Sequence, residues 1–82
     1  MNEVKIFLFA TLRDYAGVKT IQMELPIEAT VADLKEMLIK NHPRLSPARD
    51  SMMAAINREY AADEQLIPLN AEIAFFPPVS GG

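Results

Sequence analysis

The stretch Ile73-Ala74-Phe75-Phe76-Pro77-Pro78-Val79-Ser80-Gly81-Gly82 sets the terms for the rest of the chain. Its first four residues are apolar and aromatic and read as the end of a strand. Pro77 and Pro78 stop that strand, because neither can donate to a ladder and both fix φ. Pro78 also holds Pro77 extended, so the chain leaves the domain as a short, stiff spacer. Val79, Ser80, Gly81 and Gly82 are what the spacer presents. Glycines without a Cβ fit a channel too narrow for other residues. The expected division is therefore a folded domain over residues 1–76 and an arm over 77–82. The α-carboxylate of Gly82 is the candidate reactive group. The competing reading is an inert chain end, since small residues at an end commonly fray.

Working back from the arm, residues 3–9 read as a strand. Val4, Ile6 and Leu8 share one face, and Lys5, Phe7 and Phe9 share the other. Residues 11–16 suit a short helical turn ending at Gly17. Residues 19–25 alternate, with Ile21, Met23 and Leu25 against Thr20, Gln22 and Glu24, and Pro26 ends that strand. The best helix follows. Thr30 is a good N-cap and Asp33 stands in the capping-box position, near the positive end of the helix dipole. Val31, Leu34 and Leu38 form the apolar stripe, with Met37 at its edge. Lys35, Glu36 and Lys40 are expected in solvent. The helix ends near Asn41, because His42 precedes Pro43. Residues 45–50 read as a loop, with a possible turn capped by Ser46 and opened by Pro47.

Residues 52–57 form the next strand, with Met52, Ala54 and Ile56 on one face. Asn57-Arg58-Glu59 turns into a short strand at Tyr60-Ala61. Residues 62–69 lack a period, and Asn70-Ala71-Glu72 turns into the closing strand. One main helix and four or five strands make an α+β domain of two layers, a mixed sheet with the helix on one face. The first and last strands are expected adjacent and parallel at its centre, with the helix as the crossover. This is the β-grasp, or ubiquitin-like, arrangement. Its expected core is Val4, Ile6, Leu8, Ile21, Met23, Leu25, Val31, Leu34, Leu38, Ala54, Ile56, Ile73 and Phe75.

Composition narrows the chemistry. The chain has 82 residues, half of them hydrophobic, which fits one small domain. It has no cysteine, so disulfides and thiolate metal sites are excluded, and any sulfur chemistry must avoid a side-chain thiol. The net charge of −3 and the lack of a Lys/Arg cluster argue against a nucleic-acid partner. The longest apolar run, Ile6 to Ala10, is too short to span a bilayer, and the first residues enter a strand pattern without a signal peptide. A cytoplasmic protein is expected. His42, the lone histidine, reads as a helix-end residue rather than a metal ligand or base. Of Met52 and Met53, one is expected in the core. Asp63 and Glu64 are expected in solvent. No phosphate loop or catalytic triad is present.

Three stretches resemble the small subunit of molybdopterin synthase: Ala74 to Gly82, Val4 to Ala10 with Leu12-Arg13 after it, and Met53 to Asn57. Length and element order match throughout. The sequence departs at Leu69-Asn70-Ala71-Glu72, where the family often carries Asp-Gly-Asp-Glu, so Asn70 must do what glycine does freely. The resemblance implies that a partner resembling ubiquitin-activating enzymes adenylates Gly82 with ATP. A sulfur from a donor protein then replaces the adenylate, giving a thiocarboxylate. The arm enters a large catalytic subunit in a heterotetramer, and the sulfur passes to cyclic pyranopterin monophosphate. The chain itself binds no cofactor or metal on this reading and supplies no general base. Positions resembling Phe9, Tyr60 and Phe76 dock the partners, and Pro77, Pro78, Val79, Ser80 and Gly81 are gripped along the arm.

The residues agree with a docking face. Phe7, Phe9 and Phe76 have the parity of the sheet face without the helix, and Tyr60 can reach it. A cluster of aromatics on an uncovered face marks a binding surface. The other possibility is that residues 61–69 fold over them. Two further functions share the arm chemistry: a thiamine-pathway sulfur carrier, and a ubiquitin-like modifier joined to lysine amines through Gly82.

Overall fold

A computed structural model of the chain describes residues 1–78. Eight elements follow in order: β1 (Asn2–Leu8), α1 (Ala10–Ala16), β2 (Thr20–Leu25), α2 (Val31–Asn41), a 3-10 helix (Pro43–Ala48), β3 (Met53–Ile56), β4 (Glu59–Ala61) and β5 (Glu72–Phe76). The five strands form one mixed sheet in the order β2-β1-β5-β3-β4. β1 and β5 are parallel neighbours at its centre, with Ile6 opposite Ile73 and Leu8 opposite Phe75. β2 pairs antiparallel with β1, and β3 lies antiparallel to both β5 and β4. This is the β-grasp topology expected from the element order.

Alternation along the strands builds the core. Val4, Ile6 and Leu8 from β1, Met23 and Leu25 from β2, Ala54 and Ile56 from β3, and Ile73 and Phe75 from β5 are buried together. α2 adds Val31, Leu34 and Leu38 to the same cluster. Fully burying one such aliphatic side chain is worth roughly 1.5–3 kcal/mol, so this set dominates the stability of a small domain. Thr30 caps α2 in both senses of the capping box. The Asp33 backbone N–H donates to Thr30 Oγ1, and the Thr30 N–H donates to Asp33 Oδ2. Gly17 closes α1 with φ 79°, the left-handed conformation that a side chain would strain.

The structure differs from the sequence reading at several places. Ile21 is only partly buried, at the margin of the core, while Met23 and Leu25 further along the same strand are buried. The core also contains Leu12, Ala29, Leu45, Ala48, Met52, Ile67 and Ala71, which come from α1, the 3-10 helix and loops. β1 ends at Leu8, and Phe9 serves as the N-cap of α1. β3 begins at Met53; Met52 just before it is buried while Met53 is exposed.

Lys35 is the clearest correction. It is only 9% exposed, not in solvent. Its ammonium donates to the Met52 carbonyl at 3.0 Å and pairs with Asp63 Oδ1 at 2.8 Å. The long aliphatic stem lies in the core while the charge finds two partners, which is the condition for burying a lysine. Asp63 is therefore an ion-pair partner as well as a surface acid.

Candidate docking face and tail exit

The face of the sheet away from α2 is assembled by register. Thr20 pairs with Phe7, Phe7 with Ala74, Ala74 with Ala55, and Ala55 with Tyr60. One row thus crosses all five strands, with small residues at its centre and aromatic rings on either side. Met53 and Phe76 pair in the next row toward the end of β5. Side chains of like parity point to the same face, so these residues stand together opposite the buried set. The small alanines leave a depression of about 260 Å³ lined by Phe7, Phe9, Ala55, Arg58, Glu72 and Ala74.

The aromatic positions named from the sequence are open. Phe9 is 49% exposed and Tyr60 is 69% exposed, while Phe76 is half-buried. Tyr60 and Phe76 meet edge to face, with ring centroids 5.7 Å apart and planes at 63°. Such pairs are favourable because the positive ring edge meets the negative face. The Lys5 ammonium sits 5.8 Å from the Phe7 ring centroid, within cation–π range. Phe9 is fixed by its backbone N–H, which donates to the Phe75 carbonyl at 3.1 Å. That bond ties the end of β1 to the end of β5.

The segment that could have covered these rings is held elsewhere. The Val31 and Ala32 N–H groups, unsatisfied within α2, donate to the Gln65 and Asp63 carbonyls. Lys35 adds its ion pair to Asp63, and Ile67 is buried, with its N–H donating to the Ala29 carbonyl. Residues 63–67 therefore pack against the helix end, and the aromatic face remains bare.

At the far end, Asn2 stabilises the turn that the sequence left in question. Asn2 is 2% exposed. Its Nδ2 donates to the Pro68 carbonyl at 2.9 Å, and its Oδ1 accepts the Asn70 N–H at 2.8 Å. Asn70 itself takes φ 58°, the left-handed conformation that glycine adopts freely and asparagine tolerates. The substitution is absorbed without disturbing β5.

β5 ends at Phe76 and the two prolines follow at once, Pro77 half-buried and Pro78 exposed. Val79, Ser80, Gly81 and Gly82 lie outside the described residues. Phe9, Tyr60 and Phe76 are thus brought to one face beside the start of the arm. Phe7, which strand parity had put on this face, joins them, as do Ala55, Arg58, Glu72 and Ala74, which the sequence reading did not name. The parity of β3 and β5, with alanines flanked by large residues, was the signal that could have found them. Among the described residues no group of three or more His, Asp or Glu side chains is placed to hold a metal ion. No helix there is long and apolar enough to cross a membrane.

Sheet order, crossover helix and register define a ubiquitin-like β-grasp domain. A model of the ThiS family matches residues 6–82, and the chain belongs to that family. The molybdopterin synthase sulfur carrier subunit of Dictyostelium discoideum is 38% identical over 84 residues, spanning 99% of this chain and 98% of that protein. The Arabidopsis thaliana subunit of the same name is 32% identical over 80 residues, spanning 98% of this chain and 83% of its own length. In structure, the small archaeal modifier protein 1 of H. volcanii superimposes with a TM-score of 0.88 at 30% identity, covering 96% of this chain and all of that one. The resemblance first read from the closing residues and from the first and third strands holds across the chain.

Proposed function

We propose that this chain is the sulfur-carrier subunit of a molybdopterin synthase, and that Gly82 carries the transferable sulfur as a thiocarboxylate. The observation that carries the reading is the junction at Phe76. A central strand, locked between β1 and β3, runs directly into Pro77-Pro78 beside a bare aromatic face. Docking that face on a partner aims whatever follows the prolines. The curated relatives named as sulfur carrier subunits support the same reading.

On this reading a partner adenylates the Gly82 carboxylate with ATP, releasing pyrophosphate. Sulfide-level sulfur delivered by a donor protein then attacks the acyl carbon, and the C–S bond forms as AMP leaves. A carboxylate is a poor electrophile, and the adenylate supplies the leaving group. The thiocarboxylate stores a nucleophilic sulfur in a chain without cysteine. The arm, residues 77–82, is gripped by the large catalytic subunit in a heterotetramer, and Gly81 and Gly82 pass where a Cβ would clash. This chain contributes no general base, and we place it in the cytoplasm.

Binding to the large subunit tests the reading. A buried interfacial aromatic contributes about 2 kcal/mol or more when it is a hot spot. Phe76→Ala should therefore weaken binding roughly thirtyfold in calorimetry, with little change in thermal stability. Equal affinities would remove Phe76 from the interface. The likeness to the archaeal modifier favours a second reading, in which Gly82 is joined to lysine amines of other proteins. Isopeptide-linked adducts that depend on Gly82 would distinguish it.

A further inference from the structure

We propose that Arg58 is an orienting contact, whose guanidinium pairs with a carboxylate on the large catalytic subunit and fixes the rotation of the docked domain. The inference rests on the docking face described above. Asn57 and Arg58 are the two central residues of the β3–β4 turn, with φ 48° and 75°. A turn with both residues left-handed favours Asn-Gly. Asn57 suits its position. Arg58 does not, since its Cβ strains a conformation that glycine would adopt at lower cost. The turn is nonetheless held firmly: the Asn57 N–H donates to the Glu72 carbonyl at 2.8 Å, and the Glu72 N–H donates to Asn57 Oδ1 at 3.0 Å. Arg58 is thereby anchored to the start of β5, the strand that leads into the arm.

Its side chain lines the depression together with Phe7, Phe9 and Glu72. The ion pairs of the described residues are Lys35–Asp63, Arg49–Glu36 and Arg49–Asp50, so Arg58 has no acidic partner among them. Lys5 stands at the same end of the face, opposite Glu72 in the β1–β5 register. With Glu72 lining the depression beside them, Arg58 and Lys5 leave this rim one positive charge in excess, against the net charge of −3 carried by the whole chain. A planar fork of donors beside an apolar depression is the complement of a carboxylate. Phe76 grips the partner at the tail end of β5, and Arg58 grips it at the start. The five residues of β5 separate these points by about 13 Å. Contact at one point leaves the domain free to turn; contact at both fixes the direction of the arm.

The test measures binding of the full chain to the isolated large subunit at low and high salt, for wild type, Arg58→Glu, Arg58→Lys and Arg58→Gly. Arg58→Glu should bind about tenfold or more weakly at low salt, with the gap closing at high salt. Arg58→Lys should recover most of the affinity. Arg58→Gly should lose affinity while keeping or raising the melting temperature, which separates the contact from the turn. Wild-type affinity for Arg58→Glu at low salt overturns the proposal, as does a loss of equal size at both salts. If wild type itself does not bind, the sulfur-carrier reading fails and the Arg58 contact falls with it.

Discussion

At the scale of single residues, buried polar side chains set the shape of the molecule around the site. Asn2 makes three hydrogen bonds, to the Ile67 and Pro68 carbonyls and from the Asn70 N–H. Truncating it leaves those loop groups without partners in a site that water reaches poorly, and an unsatisfied buried group costs about 1–3 kcal/mol. Asn2→Ala should therefore lower the unfolding free energy by roughly 2 kcal/mol in urea titration. A change under about 0.5 kcal/mol would show that water replaces the amide fully. Neither the Asn2 network nor the burial of Lys35 was legible in the sequence. Asn2 precedes the alternating run and looks like a chain end. Lys35 lies on the polar flank of the helical stripe, and its partners Met52 and Asp63 come from distant segments. Asn70 was legible in part: its need for a left-handed backbone followed from where glycine usually stands, and its φ of 58° agrees.

At the scale of elements, legibility followed periodicity. β1, β2 and α2 obey clean periods of two or 3.6 residues, and their buried faces were read correctly apart from Ile21 on β2 and Lys35 on α2. The capping box of α2 gave its start, and His42 before Pro43 gave its end. Leu12, Leu45 and Ile67 escaped because they sit in short or irregular segments, where one buried side chain leaves no repeat to detect. Strand parity put Phe7 and Phe76 on the candidate docking face, whereas Tyr60 came from its place on the short strand and from the family resemblance. The α2 start also keeps that face bare, because its first N–H groups hold residues 63–65. Thr30→Ala removes the cap acceptor for Asp33, and losing such a cap costs about 1 kcal/mol. Chemical denaturation should show that loss with an unchanged slope, since the fold remains the same. Full stability in the variant would mean that the Gln65 and Asp63 carbonyls suffice to cap the helix.

At the scale of the whole molecule, the fold separates its tasks. The buried layer between α2 and the sheet supplies stability, and on the proposed function the opposite face supplies recognition. β5 belongs to both: Ile73 and Phe75 are buried, while Ala74 and Phe76 lie on the opposite, uncovered face. Because the strand that builds the core also delivers the arm, docking and aiming become one geometrical act. Neither Pro77 nor Pro78 belongs to the core cluster, and altering the residues after them is expected to leave the domain folded. The decisive measurement is the intact mass of wild type and of a Gly82-deleted chain, each incubated with ATP, the activating enzyme and a sulfur donor. Wild type should gain the mass of one oxygen-to-sulfur exchange, and the deleted chain should gain nothing while melting at the wild-type temperature. The same gain in the deleted chain, or no gain in wild type beside an active control carrier, would contradict the assignment of sulfur to Gly82.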